Sequence, residues 1–122
     1  MKRAVPALLL LAAVAAVYRQ TLGNELMFFF GDIATQNYPW KVFFVESIRN
    51  GFFPAWFPYM HSGFPLYAEI QAGTFYPPNW LFFLLLPLPQ AYSVLQALHL
   101  LFCGFFLFLY ARETGLDRGP AL

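Results

Sequence analysis

The chain has 122 residues, of which 60% are hydrophobic, 21% aromatic and only 11% charged. An average soluble domain carries about 25% charged residues, so this composition indicates a protein of the lipid bilayer. The net charge is +1, so the chain lacks the clustered positive charge of nucleic-acid-binding proteins, and we exclude nucleic acid as a partner. The single cysteine, Cys103, excludes an internal disulfide.

The first predicted element is an apolar helix over residues 4–19, with basic residues at both ends. Its apolar run of about 15 residues covers about 22 Å, so it crosses a bilayer only if the basic end residues extend to the interface. The basic start and the small residues Ala13, Ala15 and Ala16 equally fit a cleavable signal peptide. The residues alone leave both interpretations open.

A long loop over residues 20–79 follows, and it contains a short predicted helix over residues 39–50. Pro39 suits a first helical turn, and Gly51 is a stop signal. Apolar side chains lie near one face and Lys41 lies with the polar ones, as in a helix on a membrane surface or over a protein core. Beyond it, prolines, glycines and aromatic residues alternate, which predicts an irregular but ordered segment that lines a binding site or covers helix ends.

Two apolar elements come after the loop. Residues 80–88 are too few to cross a bilayer, so we predict an interfacial or re-entrant segment. Residues 91–111 carry no formal charge and have the length of a membrane-spanning helix. Gln96 and His99 share a face of this helix and should point toward other helices, and hydrogen bonding is favoured over a proton relay for His99.

The predicted fold is an all-α membrane protein with two transmembrane helices that flank a long extracytoplasmic loop with a short interfacial helix. If both apolar runs cross the bilayer, the basic residues before the first helix and in residues 112–122 lie on one side, which the positive-inside rule makes cytoplasmic. The loop then faces outward. A hairpin and one loop are too little for a closed membrane core, so we expect a fragment or one module of a longer chain.

A lone acid near the start of the loop requires an explanation. Asp32 follows three phenylalanines, and a carboxylate near aromatic rings and lipid loses hydration. Because this loss is costly, such a carboxylate is kept where a partner, a metal or a reaction uses it. A helix or turn cap is the ordinary alternative role for an aspartate. The sequence has no P-loop, dinucleotide fingerprint, HExxH or paired-cysteine motif, so the chemistry would depend on carboxylates.

Several short motifs follow the first apolar helix in a characteristic order. They are Gly31-Asp32 with Gln36 and Tyr38-Pro39, Gly51-Phe52-Phe53-Pro54-Ala55-Trp56, Pro58-Tyr59, Gly63-Phe64-Pro65, Ala68-Glu69-Ile70-Gln71-Ala72-Gly73 and Phe75-Tyr76-Pro77. Together they resemble the amino-terminal part of the bacterial YfhO-like membrane proteins, which are similar to GT-C glycosyltransferases. The chain departs from that pattern at Phe57 and at His61-Ser62. The resemblance favours an uncleaved first helix.

The resemblance implies sugar transfer from a polyprenyl-phosphate donor to a cell-envelope acceptor, on the outer face of the bacterial cytoplasmic membrane. Asp32 is then the candidate general base, or alternatively a ligand of Mg²⁺ or Mn²⁺. Lys41 would approach the donor phosphate, and Glu69 and Gln71 would contact hydroxyl groups or a metal. Three aromatic residues complete the predicted substrate site: Tyr38, Trp56 and Tyr76. The alternative is a non-enzymatic integral membrane protein, surrounded by membrane lipids, whose loop serves structure or docking.

Overall fold

A computed structural model describes residues 5–22, 24 and 26–114 of the chain. The predicted helical class is confirmed, because the structure is mostly helical. Its α-helices are α1 (Val5–Tyr18), α2 (Tyr38–Arg49), α3 (Pro77–Leu85) and α4 (Leu88–Glu113). Three basic residues used for the predicted orientation lie outside the described residues: Lys2, Arg3 and Arg118.

Among the described residues, α4 is the one helix long and apolar enough to cross a membrane. It has 26 residues and begins at Leu88, three residues before the predicted start, because Pro89 is accommodated in its first turn. The apolar part of α1, Ala7–Tyr18, is shorter. Most of the C-terminal half of α4 exposes large apolar side chains, among them Phe102, Phe106 and Leu107, as expected for a helix that contacts lipid or further helices.

Helices α1 and α4 pack against each other along a small-residue face. Val14 and Tyr18 of α1 form a buried cluster with Ala97 of α4. Farther along α4, a Cβ atom added to Gly104 would lie only 2.6 Å from a methyl carbon of Leu10. The glycine therefore permits the two helix backbones to approach closely, which is the usual role of small residues between membrane helices.

Helix α2 occupies the position of the predicted short helix, one residue earlier at each end. It continues from a π-helical turn over Ile33–Asn37, and it ends before Gly51, whose φ of +78° is a left-handed conformation that favours glycine. The expectation that Lys41 lies on the polar face is wrong. The side chain of Lys41 is buried, together with those of Trp40, Phe44 and Val45.

The segment between α2 and α3 is irregular and folded on itself. It contains a two-residue antiparallel pair, β1 (Trp56–Phe57) with β2 (Phe64–Pro65), followed by 3₁₀ turns at Leu66–Ala68 and Ile70–Ala72. Gly63 has a φ of +91° and lies against the indole of Trp56. This segment buries its own small core of Phe57, Leu66 and Ala72 against Trp40 of α2.

Helix α3 joins the loop to the membrane-length helix. The segment predicted to be interfacial or re-entrant over residues 80–88 falls partly in α3 and partly at the break before α4. Phe83 of α3 packs with Phe44 and Val45 of α2 and with Ala91, Tyr92 and Leu95 of α4. The main core of the chain therefore lies where α2, α3 and the N-terminal half of α4 meet.

Candidate functional site

A cleft of about 720 Å³ lies between the 67–76 segment of the loop, helix α2 and the N-terminal half of α4. This volume is within the range of about 300–1,000 Å³ that is typical of small-molecule sites. The polar and aromatic residues that line the cleft are Asn37, Lys41, Tyr67, Glu69, Gln71, Thr74, Phe75, Tyr76, Asn79, Phe83, Tyr92, Gln96 and His99.

The cleft brings together four of the predicted site residues, namely Lys41, Glu69, Gln71 and Tyr76. The other predicted residues, Asp32, Tyr38 and Trp56, are not among its lining residues. The ring of Tyr38 stacks on Tyr92 at 6.3 Å between centroids, and the indole of Trp56 covers Gly63. Their predicted substrate contacts stay predictions.

Asp32 lies at the start of the π-helical turn and is exposed. Its side chain makes no capping hydrogen bond, and its backbone carbonyl accepts a hydrogen bond of 3.4 Å from the Asn37 side chain. The next residue, Ile33, and Asn37 both line the cleft. Asp32 is therefore next in sequence to a cleft residue, and its role as base or cation ligand stays a prediction.

Three successive backbone carbonyls, at residues 72–74, each accept a hydrogen bond from a side chain of a helix, and the last two of these residues line the cleft. The ammonium group of Lys41 donates to Ala72, the amide of Asn79 donates to Gly73 at 2.7 Å, and the indole of Trp80 donates to Thr74 at 2.7 Å. Since a buried carbonyl without a partner is costly, these bonds fix residues 72–74 against α2 and α3.

Lys41 places an almost fully buried positive charge in the cleft. Its side chain is 5% exposed, and its nitrogen lies 5.0 Å from the ring centroid of Phe83 and 5.7 Å from that of Phe44. Burial lowers the pKa of Lys41 from 10.5 to about 8, and no carboxylate of the described residues offsets this. At neutral pH the ammonium form still dominates, so the cleft carries a cation that an anionic group would neutralise.

His99 of α4 has a defined tautomer because of its two hydrogen-bond partners. Its Nδ1 lies 2.6 Å from the carbonyl oxygen of Leu95, which can only accept, so Nδ1 carries the hydrogen in the neutral ring. Its Nε2 lies 2.6 Å from the hydroxyl of Tyr76 and then accepts that hydroxyl's hydrogen. A hydrogen bond from His99 to another helix was predicted, and the observed partner is instead Tyr76, the loop residue immediately before α3.

The acidic part of the cleft comes from a 3₁₀ turn. The carboxylate of Glu69 accepts a hydrogen bond of 3.1 Å from the backbone amide of Gln71, which leaves further lone pairs on the carboxylate for hydroxyl groups. Within the described residues, no three His, Cys, Asp or Glu side chains come together as a metal site. We therefore derive no step through a divalent cation.

Several residues of the cleft were not among the predicted site residues. One face of α4 contributes three of them, Tyr92, Gln96 and His99, which are spaced by four and three residues. This spacing is the feature of the sequence from which their common position could have been predicted. Asn79 is buried and donates a hydrogen bond to the backbone carbonyl of Gly73. Its position as a polar residue in an aromatic, proline-rich segment was the sequence feature that indicated a specific contact.

A comparison of the chain with protein-family models, with curated proteins and with solved structures finds no match.

Proposed function

We propose that this chain is the amino-terminal part of a membrane glycosyltransferase that moves a sugar from a polyprenyl-phosphate donor to a cell-envelope acceptor on the outer face. In this proposal α1 and α4 both cross the cytoplasmic membrane, and the loop lies outside. The observation that carries it is the cleft beside the membrane-length helix, with the buried cation of Lys41 inside it.

The chemical groups around the cleft suit a lipid-linked sugar phosphate. A phosphate requires positive charge, which Lys41 supplies, and sugar hydroxyl groups require acceptors and donors such as Glu69 and Gln71. The wall formed by Tyr92, Leu95 and His99 belongs to a helix apolar enough to lie in lipid, so a membrane-anchored donor reaches the cleft without leaving the bilayer.

The proposed reaction is a single displacement. The acceptor oxygen bonds to the anomeric carbon while the bond from that carbon to the phosphate oxygen breaks, and the phosphate leaves with the electron pair. A phosphate is stable as an anion, so one base that removes the hydroxyl proton of the acceptor suffices. Asp32 is the proposed base, and Lys41 stabilises the charge that grows on the phosphate.

The test measures sugar transfer by the whole protein in native membranes, with polyprenyl phosphates that carry radiolabelled sugars. We expect Asp32→Asn and Lys41→Met to reduce transfer by about 100-fold or more, because each removes a group used in the transition state. Arg49→Met is the matched control for Lys41, because Arg49 is an exposed cation on the same helix. Transfer that stays normal in both variants, at normal protein levels, would remove the proposal.

A second candidate is a non-enzymatic membrane protein whose loop serves as a docking surface. The observation that favours it is the exposed position of Asp32 outside the cleft lining. This candidate predicts that the wild-type protein transfers no sugar from any polyprenyl-phosphate donor and that Asp32→Asn leaves its membrane level and assembly unchanged.

A further inference from the structure

A second concave surface lies on helix α2 and on the chain that follows it. This surface, the groove, has a volume of about 500 Å³, within the range of about 300–1,000 Å³ typical of ligand sites. Its lining residues are Phe43, Glu46, Ser47, Asn50, Phe52, Phe53 and Tyr59. None of them lines the cleft.

Helix geometry places the groove on the side of α2 that faces away from the cleft. Phe43, Ser47 and Asn50 are spaced by four and three residues and therefore share one face. Phe43 follows Lys41 by two residues, which is about 200° around the helix axis. The helix thus places this face about 10 Å from Lys41. The two surfaces come closer beyond the helix, where the ring of Phe53 in the groove stacks on that of Phe75 in the cleft at 5.6 Å between centroids.

The groove combines exposed aromatic rings with hydrogen-bonding groups. The rings of Tyr59 and Phe52 are 76% and 69% exposed. Tyr59 is nonetheless held in place by edge contacts to Phe57 at 5.4 Å and to Phe43 at 6.0 Å. The side chains of Glu46 and Asn50 are exposed and form no hydrogen bond within the described residues, so their polar atoms are open to a ligand.

We propose that the groove binds a carbohydrate chain. The C–H face of a pyranose ring is apolar and packs on the face of an aromatic ring, while its hydroxyl groups donate to carboxylates and exchange hydrogen bonds with amides. Rings fixed beside a carboxylate and an amide match both requirements. The negative charge of Glu46 disfavours acidic sugars, so the ligand is a neutral or amine-bearing glycan.

This inference goes beyond the proposed function, because binding in the groove requires no sugar transfer. If the proposed transfer also occurs, the groove holds sugar units of a polymeric acceptor that lie away from its reacting end. The groove and the cleft are then two subsites for one long chain, and they are tested separately.

The binding experiment uses the whole protein in lipid nanodiscs with three hexasaccharides: maltohexaose, chitohexaose and hexagalacturonic acid. Saturation-transfer NMR and calorimetric titration measure binding. We expect the two uncharged glycans to bind more tightly than the acidic one, and we expect Tyr59→Ala and Phe52→Ala each to weaken their binding by about tenfold or more.

Controls separate the groove from the cleft and from a folding defect. Tyr67→Ala removes an exposed aromatic ring of the cleft and should leave the affinity unchanged. Glu46→Gln alters an exposed side chain without touching the core, and it should raise the affinity for the acidic glycan relative to the uncharged ones. This variant keeps the test valid even if Tyr59→Ala unfolds.

Three results would overturn the proposal. The first is that none of the glycans binds at millimolar concentration. The second is that binding persists in both groove variants or is lost equally in Tyr67→Ala. The third is that spin-labelled lipids broaden the ring signals of Phe52 and Tyr59 while glycans do not, because the rings would then lie in the membrane interface.

Discussion

The hydroxyl of Tyr76 donates to Nε2 of His99 across 2.6 Å, and this bond joins the residue before α3 to the middle of α4. The other ring nitrogen of His99 is committed to the carbonyl of Leu95 on its own helix. Tyr76 is therefore held to α4 by a histidine whose orientation is already fixed.

We expect Tyr76→Phe to lower the free energy of unfolding by about 0.5–1.5 kcal/mol, because His99 loses the partner of its second nitrogen and the bond is exposed. Thermal unfolding of the purified protein in detergent measures the change. Tyr67→Phe is the control, since Tyr67 lines the same cleft and its hydroxyl makes no hydrogen bond within the described residues. Equal unfolding temperatures for the two variants would contradict the importance of the bond.

The buried Lys41 should make stability depend on pH in a defined direction. Its pKa is about 8 in the folded chain and 10.5 in the unfolded chain, so between these values the unfolded chain binds more protons. Stability therefore rises with pH from about 8 to about 10.5, by up to about 3 kcal/mol, and the cost of the buried charge is fully present below pH 8. Thermal unfolding at a series of pH values measures this slope.

Lys41→Met should abolish this rise, whereas Arg49→Met should retain it. The methionine also leaves the carbonyl of Ala72 without its partner, so the variant's stability at pH 7 reports the balance between the lost hydrogen bond and the removed charge. A slope that is identical in the wild type and in Lys41→Met would show that another group titrates.

A phosphate bound in the cleft should raise the pKa of Lys41, because an anion favours the charged form of a nearby amine. Lysine labelled with ¹³C at Cε gives an NMR signal for each lysine. The signal missing from Lys41→Met belongs to Lys41, and Lys2 is a reference. We expect polyprenyl phosphate to move the titration of Lys41 from about 8 toward 10.5. Inorganic phosphate tests whether the lipid is required, and an unchanged titration with both ligands would contradict the proposed contact.

The close packing of α1 on α4 predicts a specific effect of a larger residue at position 104. Gly104→Val should destabilise the helix pair by about 1–3 kcal/mol, because its Cβ would overlap Leu10. Leu10→Ala frees that space, so the double variant should recover part of the loss. Thermal unfolding of the four proteins forms a double-mutant cycle, and additive effects of the two changes would show that the residues do not touch.

The helices could be predicted from sequence because their signals are local. Pro39 and Gly51 delimit α2 within one residue of its observed ends, and a charge-free run identifies α4. The burial of Lys41 was missed because its partner, the carbonyl of Ala72, lies 31 residues further along the chain. Hydrophobic periodicity assigns a lysine to the polar face unless a distant segment supplies a partner.

The cleft itself was partly predictable. Glu69, Gln71 and Tyr76 were predicted from the motifs that contain them, and all three line the cleft with Lys41. The pairing of Tyr76 with His99 depends on how the loop folds back along α4, and no local pattern encodes it. The role of Asp32 stays a prediction. It was predicted because a lone carboxylate among aromatic residues is costly, but it is not among the residues that line the cleft.

The hydrogen bond from Lys41 to the carbonyl of Ala72 uses one of the three N–H donors of the ammonium group. The remaining donors let the same side chain bind an anion while it still holds residue 72. Asn79 and Trp80 hold the next two carbonyls without any charge. A neutral side chain at position 41 is therefore expected to release residue 72 alone, while residues 73 and 74 stay in place.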